Sequence, residues 1–306
     1  MREMTGPDFL GIGAQKAATN WIWQNLRQHP DIWMPPYKEL HYFDRSTRYP
    51  SPSYLSSPRL VTRLLGRERH NVEFRRLFTH SLASSLRHAR WSELRWQARH
   101  FFGRYDDRWY FSLFEPGAGR VKGEITPSYS ILNDDDVKAI HDALPRLKII
   151  FIMRNPIDRA WSHVRFDWTT GRFSGIDDME AVKAFIESPN QHLRGDYLRT
   201  LDIWKEHFPA EQLFIGFYDD IIGNPAGLLG DLHGFLGVPA RTYEAAGRVT
   251  EKIFTSKEKH IPAELLRYLA ERYRPDIEQL SRRFGGHATS WLAETDHILA
   301  GQAPPS

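Results

Sequence analysis

The 306-residue chain contains no cysteine. Disulfides, thiolate nucleophiles and cysteine-ligated zinc are therefore excluded, and a reducing, cytoplasmic setting is expected. The opening residues MREMTGPDFL hold no apolar stretch of the kind a secretory leader needs. No apolar run reaches the length of a bilayer span. Net charge is also low, +3 with the histidines neutral, so bulk charge gives no ground for a nucleic-acid partner. What is present is 41% hydrophobic and 13% aromatic residues. That composition belongs to a globular chain long enough to bury a sizeable core.

Periodicity places strands and helices in alternation. Residues 8–13 read as a buried strand, 16–28 as a helix closed by Pro30, and 31–34 as a second short apolar stretch. KIIFIM, 148–153, is the clearest strand, because a continuous apolar run fits a strand covered on both faces. Further strands are expected at 121–126 and 212–220, with helices after Pro156, at 225–237 and at 262–285. This pattern predicts an α/β fold with a mostly parallel central sheet flanked by helices, in one domain over 1–306. Segment 45–119 interrupts it as a helical insertion. Its residues 59–104 hold eleven arginines, no lysine and three acids. It reads either as a wall or lid for an anionic acceptor or membrane surface, or as a helical subdomain with a solvated basic face.

Three stretches carry candidate chemistry. The first is GIGAQKAATN, 11–20, between the first strand and the first helix. It is not the nucleoside-triphosphate loop G-x-x-x-x-G-K-[ST], since Gln15 precedes Lys16 and Ala17 follows it where a magnesium-binding hydroxyl belongs. It is either an anion cradle of helix-terminal N–H groups, Lys16, Thr19 and Asn20, or an ordinary turn with a surface lysine. The second is RNPIDRAWS, 154–162, at the carboxyl end of the best strand, where open α/β sheets bind ligands. Arg154 and Ser162 there suit a second phosphate, or else a salt bridge and a surface serine. The third is KELHYFD, 38–44. In an extended stretch Glu39 and His41 share a face and suit acid–base work; solvated side chains are the alternative.

Together and in this order, these stretches resemble the PAPS-dependent sulfotransferases, most closely the heparan-sulfate type and its bacterial relatives. Lys16-Ala17-Ala18-Thr19-Asn20 is similar to the family's 5′-phosphosulfate loop K-x-G-T-[TS], departing at Ala18 and Asn20. Arg154, Asn155, Pro156, Arg159, Ala160 and Ser162 match its 3′-phosphate motif R-[ND]-P-x-x-R-A-x-S. KELHYFD resembles the segment bearing its catalytic carboxylate. GEITPSY (123–129), GDYLRTLDIW (195–204) and TSKEKHIP (255–262) resemble three further family segments. Ile125 stands where glucosaminyl 3-O enzymes of the family carry a lysine, and Lys122 is the nearby substitute.

The resemblance implies a P-loop-NTPase-like sulfotransferase fold and metal-free sulfuryl transfer from PAPS, leaving PAP, to a hydroxyl or amine of a glycan or hydroxylated small molecule. It implies Glu39 as general base, Lys16 at the leaving oxygen, and His41 and Asp44 as orienting residues. Lys16, Ala17, Ala18, Thr19, Asn20, Trp21, Arg154, Ser162, Lys257 and Lys259 would bind the nucleotide, and His41, Asp44, Lys122 and Tyr197 the acceptor. The rival readings are a nucleotide-dependent kinase and a non-catalytic PAP-binding or basic interaction protein.

Overall fold

The structure, a computed structural model, describes residues 6–50, 54–87, 91–241 and 261–301. Among these residues, one parallel sheet runs in the order β2-β3-β1-β4-β5. Its strands are β1 Phe9–Gly13, β2 Ile32–Trp33, β3 Val121–Ile125, β4 Lys148–Met153 and β5 Leu213–Phe217. β1 is central and wholly buried, pairing Gly11 with Ile125 on one side and Ile150 on the other. A β-carbon on Gly11 would lie 2.7 Å from the Ile125 side chain, so glycine is what lets β1 and β3 close up.

The helices, in chain order, are α1 Thr19–Leu26, α2 Leu60–Leu65, α3 Arg69–Arg87, α4 Trp91–Phe102, α5 Asp107–Ser112, α6 Asp134–Ala143, α7 Pro156–Thr169, α8 Met179–Ile186, α9 Pro189–Gly195, α10 Tyr197–His207, α11 Tyr218–Gly223, α12 Pro225–Leu236, α13 Ala263–Phe284 and α14 Gly286–Leu299. α7 starts as its sequence dictates: Asn155 caps it by accepting from the Ile157 N–H at 3.0 Å, and Pro156 takes the first position. The main core packs both faces of the sheet against helices, which is why β1 is apolar throughout and β4 is apolar from Ile149 onward. No described helix is long and apolar enough to cross a membrane.

Helices α2 to α5 bring a second apolar cluster. It holds Phe74, Trp96, Phe101, Tyr105, Trp109, Tyr110 and Phe114, and it takes in Leu40 and Tyr42 from the 38–44 loop. Two of the arginines are used structurally. Arg63 is 1% exposed and donates to the carbonyls of Ser57, Pro58, Phe101 and Gly103. Arg75 donates to the carbonyls of Arg63, Leu64 and Gly66, which end α2.

Two expectations change. The first helix starts at Thr19 rather than 16, because Lys16 (φ 73°) and Ala18 (φ 55°) both adopt left-handed backbone. The 38–44 stretch is not extended: Glu39 (φ 64°) and His41 (φ 56°) are left-handed too.

Candidate active site

The carboxyl ends of β1 and β4 open side by side, with β3 on the other flank of β1. The chain passes from β1 to one side of the sheet and later from β4 to the other, which makes a crevice at the switch in strand order. Arg154 Nη1, just past β4, donates to the Lys16 carbonyl across it at 3.1 Å. Tyr197 OH donates to the Arg154 carbonyl at 3.0 Å, and the guanidinium lies 4.4 Å from the Tyr218 ring. Arg154 Nε is buried and meets no partner.

The loop after β1 offers donors. The N–H groups of Lys16, Ala18, Thr19 and Asn20 meet no backbone acceptor among the described residues. Ala18 caps α1 without a side-chain bond, at roughly 1–2 kcal/mol for an L-residue in left-handed backbone. Lys16 Nζ rests 3.6 Å from the centre of the Phe166 ring. Burial, and then the Arg154 charge, pull its pKa down to about 8. An orphaned guanidinium nitrogen, free N–H groups and a half-buried ammonium fit a phosphate-bearing ligand.

The acid–base residues form a chain that ends on this loop. Asp44, fully buried, bonds His41 Nδ1 at 2.7 Å, and His41 Nε2 lies 3.5 Å from Glu39 Oε2. Lys38 Nζ reaches Glu39 Oε1 at 2.8 Å and Thr19 Oγ1 at 3.1 Å. Burial lowers the pKa of His41, but the Asp44 charge and hydrogen bond, then Glu39, outweigh it and push it up to about 10. Burial would raise that of Glu39, yet the His41 hydrogen bond and the Lys38 charge hold it well below the usual carboxylate range. Glu39 is thus ionised and weakly basic while Lys38 sits on it.

The crevice gathers Lys16, Ala18, Thr19 and Asn20 with Arg154, and through Lys38 it gathers Glu39, His41 and Asp44. Ser162 is half-buried on α7, about two turns beyond Arg154. Ala17 and Trp21 are both buried in the main core, the Trp21 indole nitrogen without a hydrogen-bond partner. Lys122 does not join the site. It lies at the start of β3, where its N–H bonds Asp8, while the site is at the strand's other end. Tyr197, 2% exposed, braces Arg154, and Asp44 gives Oδ2 to His41 while its buried Oδ1 meets no hydrogen-bond partner. Lys257 and Lys259 fall outside the described residues.

Sequence reasoning missed Lys38 and Arg194. Lys38 neighbours Glu39, and in an extended strand it would face the opposite way. Arg194 is 3% exposed, donates to Ser128 Oγ at 3.2 Å, and its charge acts on Asp44 and Glu39. No pattern in the 189–195 stretch announces it.

Residues 7–242 match the family model described as "Sulfotransferase family". The chain belongs to this family. Among curated relatives, it is 28% identical over 216 residues to human heparan sulfate glucosamine 3-O-sulfotransferase 6, covering 60% of this chain and 61% of that protein. It is 24% identical over 220 residues to human bifunctional heparan sulfate N-deacetylase/N-sulfotransferase 2, covering 61% of this chain and 25% of that one. The chain therefore spans about three-fifths or less of the length of these sulfotransferases. A crystal structure of a sulfotransferase from Alicyclobacillus acidocaldarius shares its fold, with TM-score 0.63 and 21% identity over 94% of this chain and 99% of that one. The parallel α/β sheet expected from the sequence is thereby the sheet of a sulfotransferase.

Proposed function

We propose that the chain transfers a sulfuryl group from PAPS to a hydroxyl of a glycan or hydroxylated small molecule, with Glu39 as general base. The observation that carries this reading is the continuous line Asp44–His41–Glu39–Lys38–Thr19, which joins an acid–base pair to an anion loop. The bound donor supplies a sulfuryl group already activated by a phosphate leaving group. Everything else falls to the chain's own residues. Lys16, the free N–H groups after it and Arg154 hold the phosphates. Glu39 takes the acceptor proton as the new S–O bond forms, and the electron pair of the broken S–O bond stays on the phosphate oxygen, which Lys16 neutralises. His41 and Asp44 keep Glu39 ionised and aimed. Phosphate in the crevice competes with Glu39 for the Lys38 ammonium, and a Glu39 relieved of that charge is the stronger base.

An open cavity of about 410 Å³ lies on the flank of the 38–44 loop, lined by Phe43, Arg45, Thr47, Leu55 and Tyr105 among others. Its mixture of aromatic rings, hydroxyls, the Arg45 guanidinium and the Asp136 carboxylate suits a hydroxylated acceptor, and the named relatives act on heparan sulfate. Residues 45–119 would then be the acceptor-side wall of a single catalytic domain. The test is incubation with PAPS and a panel of glycans and phenolic or steroidal alcohols. Mass spectrometry would read products heavier by one SO3, and a thermal-shift series would compare PAP with ATP–Mg²⁺. Stabilisation by ATP–Mg²⁺ and not by PAP would replace this reading with the kinase.

A further inference from the structure

We propose that Glu124 is the positioning residue of this site, its buried carboxylate fixing the loop that presents Glu39 and His41. The inference rests on the reading of Glu39 and His41 as the acid–base pair. Glu124, next to last in β3, is 1% exposed. Its Oε2 accepts from the Leu40 N–H at 3.2 Å and the Thr126 hydroxyl at 2.8 Å. Its Oε1 accepts from the Tyr110 hydroxyl at 2.6 Å and the Tyr129 hydroxyl at 2.8 Å. The Tyr129 oxygen in turn accepts from the Tyr42 N–H at 3.0 Å.

The amides on either side of His41 therefore hang on one carboxylate, directly at Leu40 and through one hydroxyl at Tyr42. The Glu39 N–H donates to the Ile125 carbonyl at 3.1 Å, one residue further along the same strand end. Glu39 and His41 are the two left-handed residues of the loop, a backbone that L-residues do not hold without support. These three amide bonds dictate it. A carboxylate is also an expensive group to bury, and an apolar side chain would fill the same space. What the apolar side chain could not do is accept four hydrogen bonds and tie three elements together: β3, α5 through Tyr110, and the 38–44 loop. Burial pushes the Glu124 carboxyl up, while the four donors oppose that push.

The positioning role shows in His41. The groups facing it are Glu39 and Asp44 on its own loop, Lys38 through Glu39, and the Tyr54 ring at 6.0 Å; the Arg194 charge acts on both carboxylates. If the loop loosens, His41 loses its carboxylate partners and titrates nearer its ordinary value. The test uses the full chain labelled with ¹⁵N-histidine, the His41 signal being assigned by its loss in His41→Asn. Glu124→Gln turns two acceptor sites into donors, and Tyr129→Phe removes the acceptor of the Tyr42 N–H. In both, the His41 titration midpoint should fall by about one pH unit or more, with calorimetric PAP affinity held within about twofold. Should Glu124→Gln fail to fold, Tyr129→Phe decides alone. A His41 midpoint unmoved in the folded variants overturns the proposal. So does a loss of PAP affinity in Tyr129→Phe, which would make the network a brace for the whole crevice. If the wild-type chain binds no PAP, the sulfotransfer reading falls. The His41 midpoint, read with the melting temperature, then still decides whether Glu124 holds the loop.

Discussion

Lys38 Nζ lies 2.8 Å from Glu39 Oε1, and the same nitrogen reaches Thr19 in the anion loop. One ammonium thus links Glu39, the proposed general base, to the anion loop, and after the His41 hydrogen bond it is the next cause holding that carboxyl down; a phosphate that drew the ammonium away would strengthen the base. The ion pair is part-exposed, so its contribution to stability is small and its consequence is for reactivity.

Glu39→Gln keeps the shape of the side chain and removes its capacity to take a proton. Turnover should fall about 10²–10⁴-fold while PAP binds nearly as in the wild type. Steady-state kinetics beside calorimetry reads both, and near-normal kcat would place the base elsewhere.

Lys16 gives PAP binding a pH dependence. Its pKa, about 8, lies below that of a free lysine, so the folded chain gives up this proton more readily than the unfolded chain. The unfolded state binds more protons between about 8 and the ordinary value near 10.5, and this group favours folding as pH rises through that window. Binding has the opposite slope, because only the ammonium attracts phosphate. PAP affinity should drop as pH passes about 8, and Lys16→Met should be weak and flat over the same range. A wild-type profile as flat as that of the variant removes Lys16 from the phosphate.

Arg154→Ala should weaken PAP binding by about 10- to 100-fold, the range of a charge-assisted hydrogen bond of about 1.5–3 kcal/mol. Tyr197→Phe loses only the hydroxyl that braces the Arg154 carbonyl and should cost several times less. Equal losses in the two variants would mean that Arg154 acts through the fold.

Ala18, like Lys16, holds left-handed backbone in the loop against its own side chain. Glycine holds φ near 55° without a clashing β-carbon, so Ala18→Gly should raise stability by up to about 1 kcal/mol, after allowing for glycine's freer unfolded chain. A fall in melting temperature would show that the alanine methyl contributes packing worth more than the strain.

Arg63→Met tests whether the arginine-rich segment uses its charge structurally. Four carbonyl contacts, two of them buried and two part-buried, lose their donor, and the chain should lose about 3 kcal/mol in denaturant unfolding. PAP affinity measured on the folded variant should hold, because Arg63 lies in the second apolar cluster and not in the crevice.

The sequence by itself determined the sheet. An apolar run such as KIIFIM has one stable environment, the middle of a parallel sheet, and β4 occupies those same six residues. Asn155-Pro156 starts a helix by local geometry, and Lys16 with Arg154 stand at strand ends because the chain turns there. Tertiary structure decided the rest. The meeting of Glu39 and His41 came from two left-handed residues and not from a pleat, since bonds from residues 39, 40 and 42 to the end of β3 outweigh the local cost of that backbone. The burial of Trp21, the bracing role of Tyr197 and the exclusion of Lys122 were illegible for the same reason. Each depends on which strand end or helix face lies opposite, and residues more than a hundred positions apart settle that only when they pack.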